Sequence, residues 1–285
     1  MRKIAIMPAV TLCFFTASQI VALAANEPAK PNIQALLEQA MANQRRNDGQ
    51  LTEYTSECKE TFRHRNWRGA WVETITRSEH YQSWTHNQEV ILSQDGKPVS
   101  PEKIQKQREA AARFMEVDMK TKPAAADLKS IEYMSQRGYF RFSLYHIYWQ
   151  SVFGPSRRES MDGRACIRLD FAPPATPHRP ARATDFLSGT AWIDEAEHMT
   201  VRIVARVAPA YQANLKGPAK DAPVFEQAYA RLKDGSWHAT YMRLNPAVHP
   251  AYFANERYDW IIEHNSFQQF GTDPAQLEAL GPEKR

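Results

Sequence analysis

The sequence predicts an α+β protein built on one large, curved antiparallel β-sheet, an unclosed half-barrel with helices on its concave face. Three observations predict it. An amphipathic stretch near the N-terminus precedes about three strand-like segments; a helical insert separates these from about seven more; and short turns of the kind that join antiparallel hairpins connect the later strands. Two or three helices cannot cover a flat sheet of that many strands, so the sheet is expected to curl around them.

The 285 residues begin with Arg2 and Lys3, an apolar run from Ile4 to Phe15, and Ala22-Leu23-Ala24. This order of charge, apolar core and small residues reads as a secretory signal peptide, residues 1–24, cut near Ala24. The apolar core is shorter than the roughly 20 residues of a spanning helix, and Pro8 and Gln19 interrupt it. Residues 25–285 are then expected to form a single domain exported to the periplasm. With 36 Lys+Arg against 32 Asp+Glu, the formal charge of +4 drops by two when Arg2 and Lys3 leave, too little to imply nucleic acid. The basic cluster from His178 to Arg182, set among prolines, reads as a solvated loop.

In chain order, Ile33, Leu36, Leu37, Ala40 and Met41 recur on one helical face. Residues 51–62 alternate, with Tyr54, Cys58 and Phe62 on one parity and Thr55, Glu57 and Lys59 on the other; 69–84 and 87–93 continue as strands, and a turn falls at Asp95-Gly96. Ser100-Pro101 starts a helix running to about Lys120. Its apolar face, Ile104, Ala111, Phe114 and Met115, is thin, so this helix is expected to ride on the surface or to close loosely as a lid. Residues 121–138 read as a connector that completes an insert of about 100–138.

Strand and turn are expected from there on, beginning with an aromatic-dense segment from Phe142 to Phe153. A turn at Asp162-Gly163 leads into Ala165 to Phe171, and Gly189-Thr190-Ala191-Trp192-Ile193 is followed by a tight acidic turn. The next strand carries Met199, Val201, Ile203 and Val207 on one parity against His198, Thr200, Arg202 and Arg206 on the other. A hairpin follows at Asp234-Gly235, and a closing strand sets Tyr258, Trp260 and Ile262 on one side. Cys58 and Cys166 would share an oxidising compartment, which favours a bridge; their parities, which place them on opposite sheet faces, oppose it, and the thiols are expected to remain free.

No familiar chemistry stands out. The histidines fall in no metal-binding spacing, and neither a Gly-x-Ser-x-Gly elbow nor a phosphate-binding glycine loop is present. Asp194, Glu195 and Glu197 read as a solvated hairpin tip, and Ser236 as a turn residue. No catalytic residue, metal or cofactor is expected.

The order of elements, with the phrases from Asp162 to Phe171 and Gly189-Thr190-Ala191-Trp192-Ile193-Asp194, resembles exported proteins of the LolA-type outer-membrane lipoprotein-sorting family. The resemblance implies a half-barrel whose apolar side holds acyl chains in transit. It makes the expected function that of a monomeric, non-enzymatic carrier or chaperone for a lipoprotein acyl chain or other lipid. An envelope sensor of the same fold that binds a membrane protein is the alternative, and an exported hydrolase ranks third. By parity and by size, the expected ligand-binding residues are Tyr54, Phe62, Trp192, Met199, Val201, Ile203, Tyr258 and Trp260.

Overall fold

The computed structural model describes residues 32–50, 54–82, 87–120, 144, 147–148, 151–175, 187–212, 225–245 and 258–269. The chain divides into units 1–30 and 31–285, and all described residues belong to the second. The expected signal peptide, the 121–138 connector and the basic cluster lie outside them.

Helix α1 (Ile33–Gln50) opens the unit, with Asn32 Oδ1 accepting a hydrogen bond from Ala35 N as its cap. Strands β1 (Tyr54–Arg65), β2 (Trp71–Gln82), β3 (Asn87–Gln94) and β4 (Lys97–Pro98) follow as a meander, and α2 (Pro101–Lys120) starts at the expected Ser-Pro. Then come β5 (Val152–Phe153), β6 (Arg157–Met161), β7 (Arg164–Ala172), β8 (Leu187–Asp194), β9 (Thr200–Val207), the single turn α3 (Pro209–Gln212), β10 (Phe225–Arg231), β11 (Trp237–Leu244) and β12 (Tyr258–Gln269). Asp95-Gly96 and Asp162-Gly163 both take positive φ, 50° and 76°, 51° and 77°, which gives hairpin turns whose twist matches the strands they join.

All twelve strands form one antiparallel sheet in the order β4-β3-β2-β1-β12-β11-β10-β9-β8-β7-β5, with β6 also on β7. The last strand lies against the first, so the two strand blocks flanking α2 merge. The path ends at β4 on one side and β5 on the other, and the sheet stays open: the α+β half-barrel read from the sequence.

Directly paired residues in antiparallel strands share a face, so the register carries one parity across the sheet. Ile167, Ile193, Leu169, Ala191, Ile203, Gln227, Met242, Ile262 and Glu60 lie on a common face. Leu36, Leu37, Ala40 and Met41 of α1 pack there, against Ile167, Leu169, Phe171, Leu187, Ala191, Ile193, Ile203, Ala205 and Phe225. Burying a Leu or Ile side chain contributes about 1.5–3 kcal/mol, so this cluster is the main core. At Gly189 an added Cβ would lie 2.0 Å from Val204 O and 2.8 Å from the Phe171 ring, which explains a glycine in mid-strand.

The helices divide between the faces. Tyr81 and Val90, which pack with Ala111 and Met115 of α2, have the opposite parity. Helix α2 is also more firmly held than its thin apolar face predicted. Met115 is fully buried, Gln107 Oε1 accepts a 2.7 Å hydrogen bond from Ile91 N on the outer edge of β3, and Arg108 forms a two-pronged ion pair with Glu79. It shields a sheet edge rather than acting as a loose lid. A second correction concerns the aromatic-dense segment: its described residues Leu144, Ile147 and Tyr148 are helical, at the i, i+3, i+4 spacing of one helix face, and strand begins only at Val152.

Cys58 and Cys166 are free, buried and on opposite faces. Six strand steps of about 4.8 Å separate β1 from β7.

Candidate functional site

The eight residues expected to bind ligand do not form one surface. Phe62, Tyr258 and Trp260 come together on the α1 face: Phe62 pairs with Trp260, and the Phe62 and Tyr258 ring centroids are 5.6 Å apart. All three are half-buried. Tyr54 shares the face, but it is buried at the far end of β1. Ile203 is fully buried in the α1 core. Met199 and Val201 belong to a separate cluster with Cys166, Trp237 and, at its edge, Trp192, and Trp192 pairs with Arg168 and Arg202 on the face opposite α1. The cause is a β-bulge: Trp192 pairs with Arg202 but Ile193 with Thr200, so Val201 is the extra residue and parity is lost across it.

Among the described residues, the part of the α1 face that α1 does not cover is the β2-β1-β12 block. The core under α1 runs, among these residues, from β7 to Met242 and Leu244 of β11, and Phe62, Tyr258 and Trp260 are not part of it. Toward the other end of β1 the same face turns polar. Cys58 pairs with His264 and Ser78, and His80, two residues along β2, pairs with Ser56. Burial, with Glu89 and Glu60 next in weight, pushes the Cys58 thiol up to about 12, which keeps it protonated at neutral pH. Sequence spacing could not disclose this Cys-His-His grouping, because its members meet only through strand pairing.

A second cluster missed from sequence joins Tyr54, Asp234, Ser236 and His238. Asp234 accepts hydrogen bonds from the Tyr54 hydroxyl at 2.6 Å, the Ser236 hydroxyl at 2.6 Å and Ser236 N at 2.8 Å, and His238 Nε2 lies 3.1 Å from Ser236 Oγ. The Ser236 and Tyr54 hydroxyls hold Asp234 down to about 2, and burial holds His238 down to about 4. A nucleophilic serine needs its proton directed at the histidine and the carboxylate behind that histidine. Here the carboxylate lies against the serine hydroxyl at 2.6 Å, on the serine rather than behind the histidine. The arrangement caps the β10–β11 turn.

The acidic turn after β8 also differs from the solvated tip expected of it. Asp194 is buried, accepts hydrogen bonds from Ala196 N and Glu197 N, and pairs with Arg164 at 2.7 Å; Glu197 takes Arg164, Arg231 and the Trp237 indole N–H. By contrast, the β1–β2 hairpin tip is open. Trp67 is 86% exposed and Trp71 52%, with the Arg68 and Arg65 guanidinium groups 4.4 and 5.2 Å from their ring centroids.

No family model matches the chain, and no curated protein sequence matches it. Among solved structures it is similar to a domain named as an outer membrane lipoprotein-sorting protein from Vibrio parahaemolyticus, at 11% identity and a TM-score of 0.38, covering 87% of this chain and 99% of that one. A DUF1329 family protein from Desulfovibrio piger is 11% identical, with a TM-score of 0.33 and coverages of 83% and 92%. A LolA superfamily protein from Nitrosomonas europaea is 9% identical, with a TM-score of 0.29 and coverages of 84% and 93%. Structures named for the superfamily that the sequence resembles thus stand among its neighbours.

Proposed function

We propose that the protein is an exported, non-enzymatic carrier that holds an acyl chain of a lipid or lipoprotein against the α1 face of the β2-β1-β12 block. The observation that carries this reading is the half-buried aromatic wall of Phe62, Tyr258 and Trp260 on an open sheet, outside the core under α1 among the described residues. Each methylene transferred from water to such a wall contributes about 0.8 kcal/mol. The exposed Trp67 and Trp71, each with an arginine beside it, support the reading, since indole rings and cations suit a membrane–water boundary where a lipid would be collected or released.

The test is binding of a fluorescent fatty-acid probe, with native mass spectrometry of protein purified from the cell envelope. Phe62→Glu, on the aromatic wall, is expected to weaken probe binding at least tenfold. Arg77→Glu, which puts the same charge on the opposite face of β2, is expected to leave it unchanged. Equal binding by both folded variants, or co-purification of a protein partner with no lipid, would overturn the carrier reading.

A further inference from the structure

We propose that Cys58, His80 and His264 bind a divalent metal ion of the zinc class as its three protein ligands, with the Glu89 carboxylate beside His80. The three residues come from neighbouring strands β1, β2 and β12 and share one face, because Cys58 pairs directly with His264 and His80 lies two residues beyond Ser78, the other partner of Cys58. One ligand atom from each, the thiol sulfur and a ring nitrogen of each histidine, lies within 4.8 Å of the other two. A tetrahedral zinc site with bonds of about 2.3 Å to sulfur and 2.0–2.1 Å to nitrogen sets such atoms roughly 3.3–3.8 Å apart. Small side-chain rotations on a fixed sheet close that gap.

Two further observations point to a cation. His80 Nε2 is a buried nitrogen with no hydrogen-bond partner, and Glu89 Oε1, on the residue paired with His80, stands 3.6 Å from it, beyond hydrogen-bond reach. A buried imidazole nitrogen that makes no hydrogen bond is free to ligate, and the Glu89 carboxylate paired with it adds negative charge beside the three donors. In addition, Ser56 Oγ lies 3.1 Å from His264 Nδ1, the kind of second contact that fixes the orientation of a ligating imidazole.

The donor set of one sulfur and two imidazole nitrogens selects a borderline metal over calcium or magnesium, which take oxygen ligands. Binding forms a sulfur–metal bond as the Cys58 thiol releases its proton to solvent, with no change of oxidation state.

The experiment titrates Co²⁺ into the purified, chelator-treated full chain and follows the absorption of tetrahedral cobalt, including its thiolate charge-transfer band. One equivalent is expected to bind, and Zn²⁺ to displace it. Cys58→Ser should abolish the charge-transfer band, Glu89→Gln should weaken binding by about tenfold, and His198→Gln, on a distant turn, should leave it unchanged. If Cys58→Ser fails to fold, His80→Gln serves in its place and should weaken cobalt binding at least tenfold. A wild-type protein that binds no cobalt at micromolar concentration, or a folded Cys58→Ser protein that keeps the band, would overturn the site.

Discussion

His238 sets burial directly against protonation. Its pKa, held down to about 4 from 6.5 by burial, means that the unfolded chain binds a proton the folded one refuses. The resulting stability is fully present above about pH 6.5 and is lost as pH falls toward 4, by about 3 kcal/mol at most. Asp234, held down to about 2, acts in a lower window, losing its contribution as pH falls from the normal carboxylate range toward 2. Urea unfolding at pH 7 and 4.5 should therefore show a drop that His238→Gln flattens; an unchanged drop in the variant would place its origin elsewhere. Gly189 provides a prediction of the steric kind. Gly189→Ala should cost about 1–3 kcal/mol, because the atoms in the way include backbone of β9 that cannot rotate aside. Urea midpoints measure it. These effects follow from burial and close approach, and neither residue type announces them in the sequence.

At the scale of elements, α1 is fastened by polar contacts as well as by its apolar stripe. Asn43 Nδ2 donates to Glu197 O at 2.8 Å, and the Asn47 side chain both donates to Trp237 O at 2.7 Å and accepts from Trp237 N at 2.8 Å. Asn47→Leu would leave a buried N–H and C=O of β11 unpaired and should cost about 2–3 kcal/mol in chemical denaturation, whereas Gln39→Ala, on the exposed side of α1, should cost under 0.5 kcal/mol. The stripe of α1 was legible in its spacing. Its asparagines were not, because their partners lie 154 and 190 residues away. The β1–β2 tip bears a different prediction. Trp67→Ala should reduce co-sedimentation with anionic phospholipid vesicles while leaving the melting temperature within a degree or two, since the ring is almost wholly exposed. Unchanged co-sedimentation would remove the tip from the membrane reading.

For the whole molecule, the carrier reading expects Phe62→Glu to lose probe binding while circular dichroism stays native. Ile203→Asp, in the packed core, is expected to unfold the protein, since an unpaired buried carboxylate is costly. The sequence by itself determined the fold class, both long helices, most strands and the Asp-Gly turns, because alternation, helical spacing and positive-φ residues are local properties of the chain. It also placed Cys58 and Cys166 on opposite faces, since parity within an unbroken strand is local too. Where a bulge intervened, as at Val201, one extra residue moved Met199 and Val201 away from Ile203, and no residue type marks such an insertion. Only the tertiary structure decided that α2 guards the edge of β3, that β12 returns to β1, and that Cys58, His80 and His264 meet. Long-range strand pairing sets these relations: hydrogen bonds between backbones look alike at every residue, so the chain's pattern of side chains does not record which strands become neighbours.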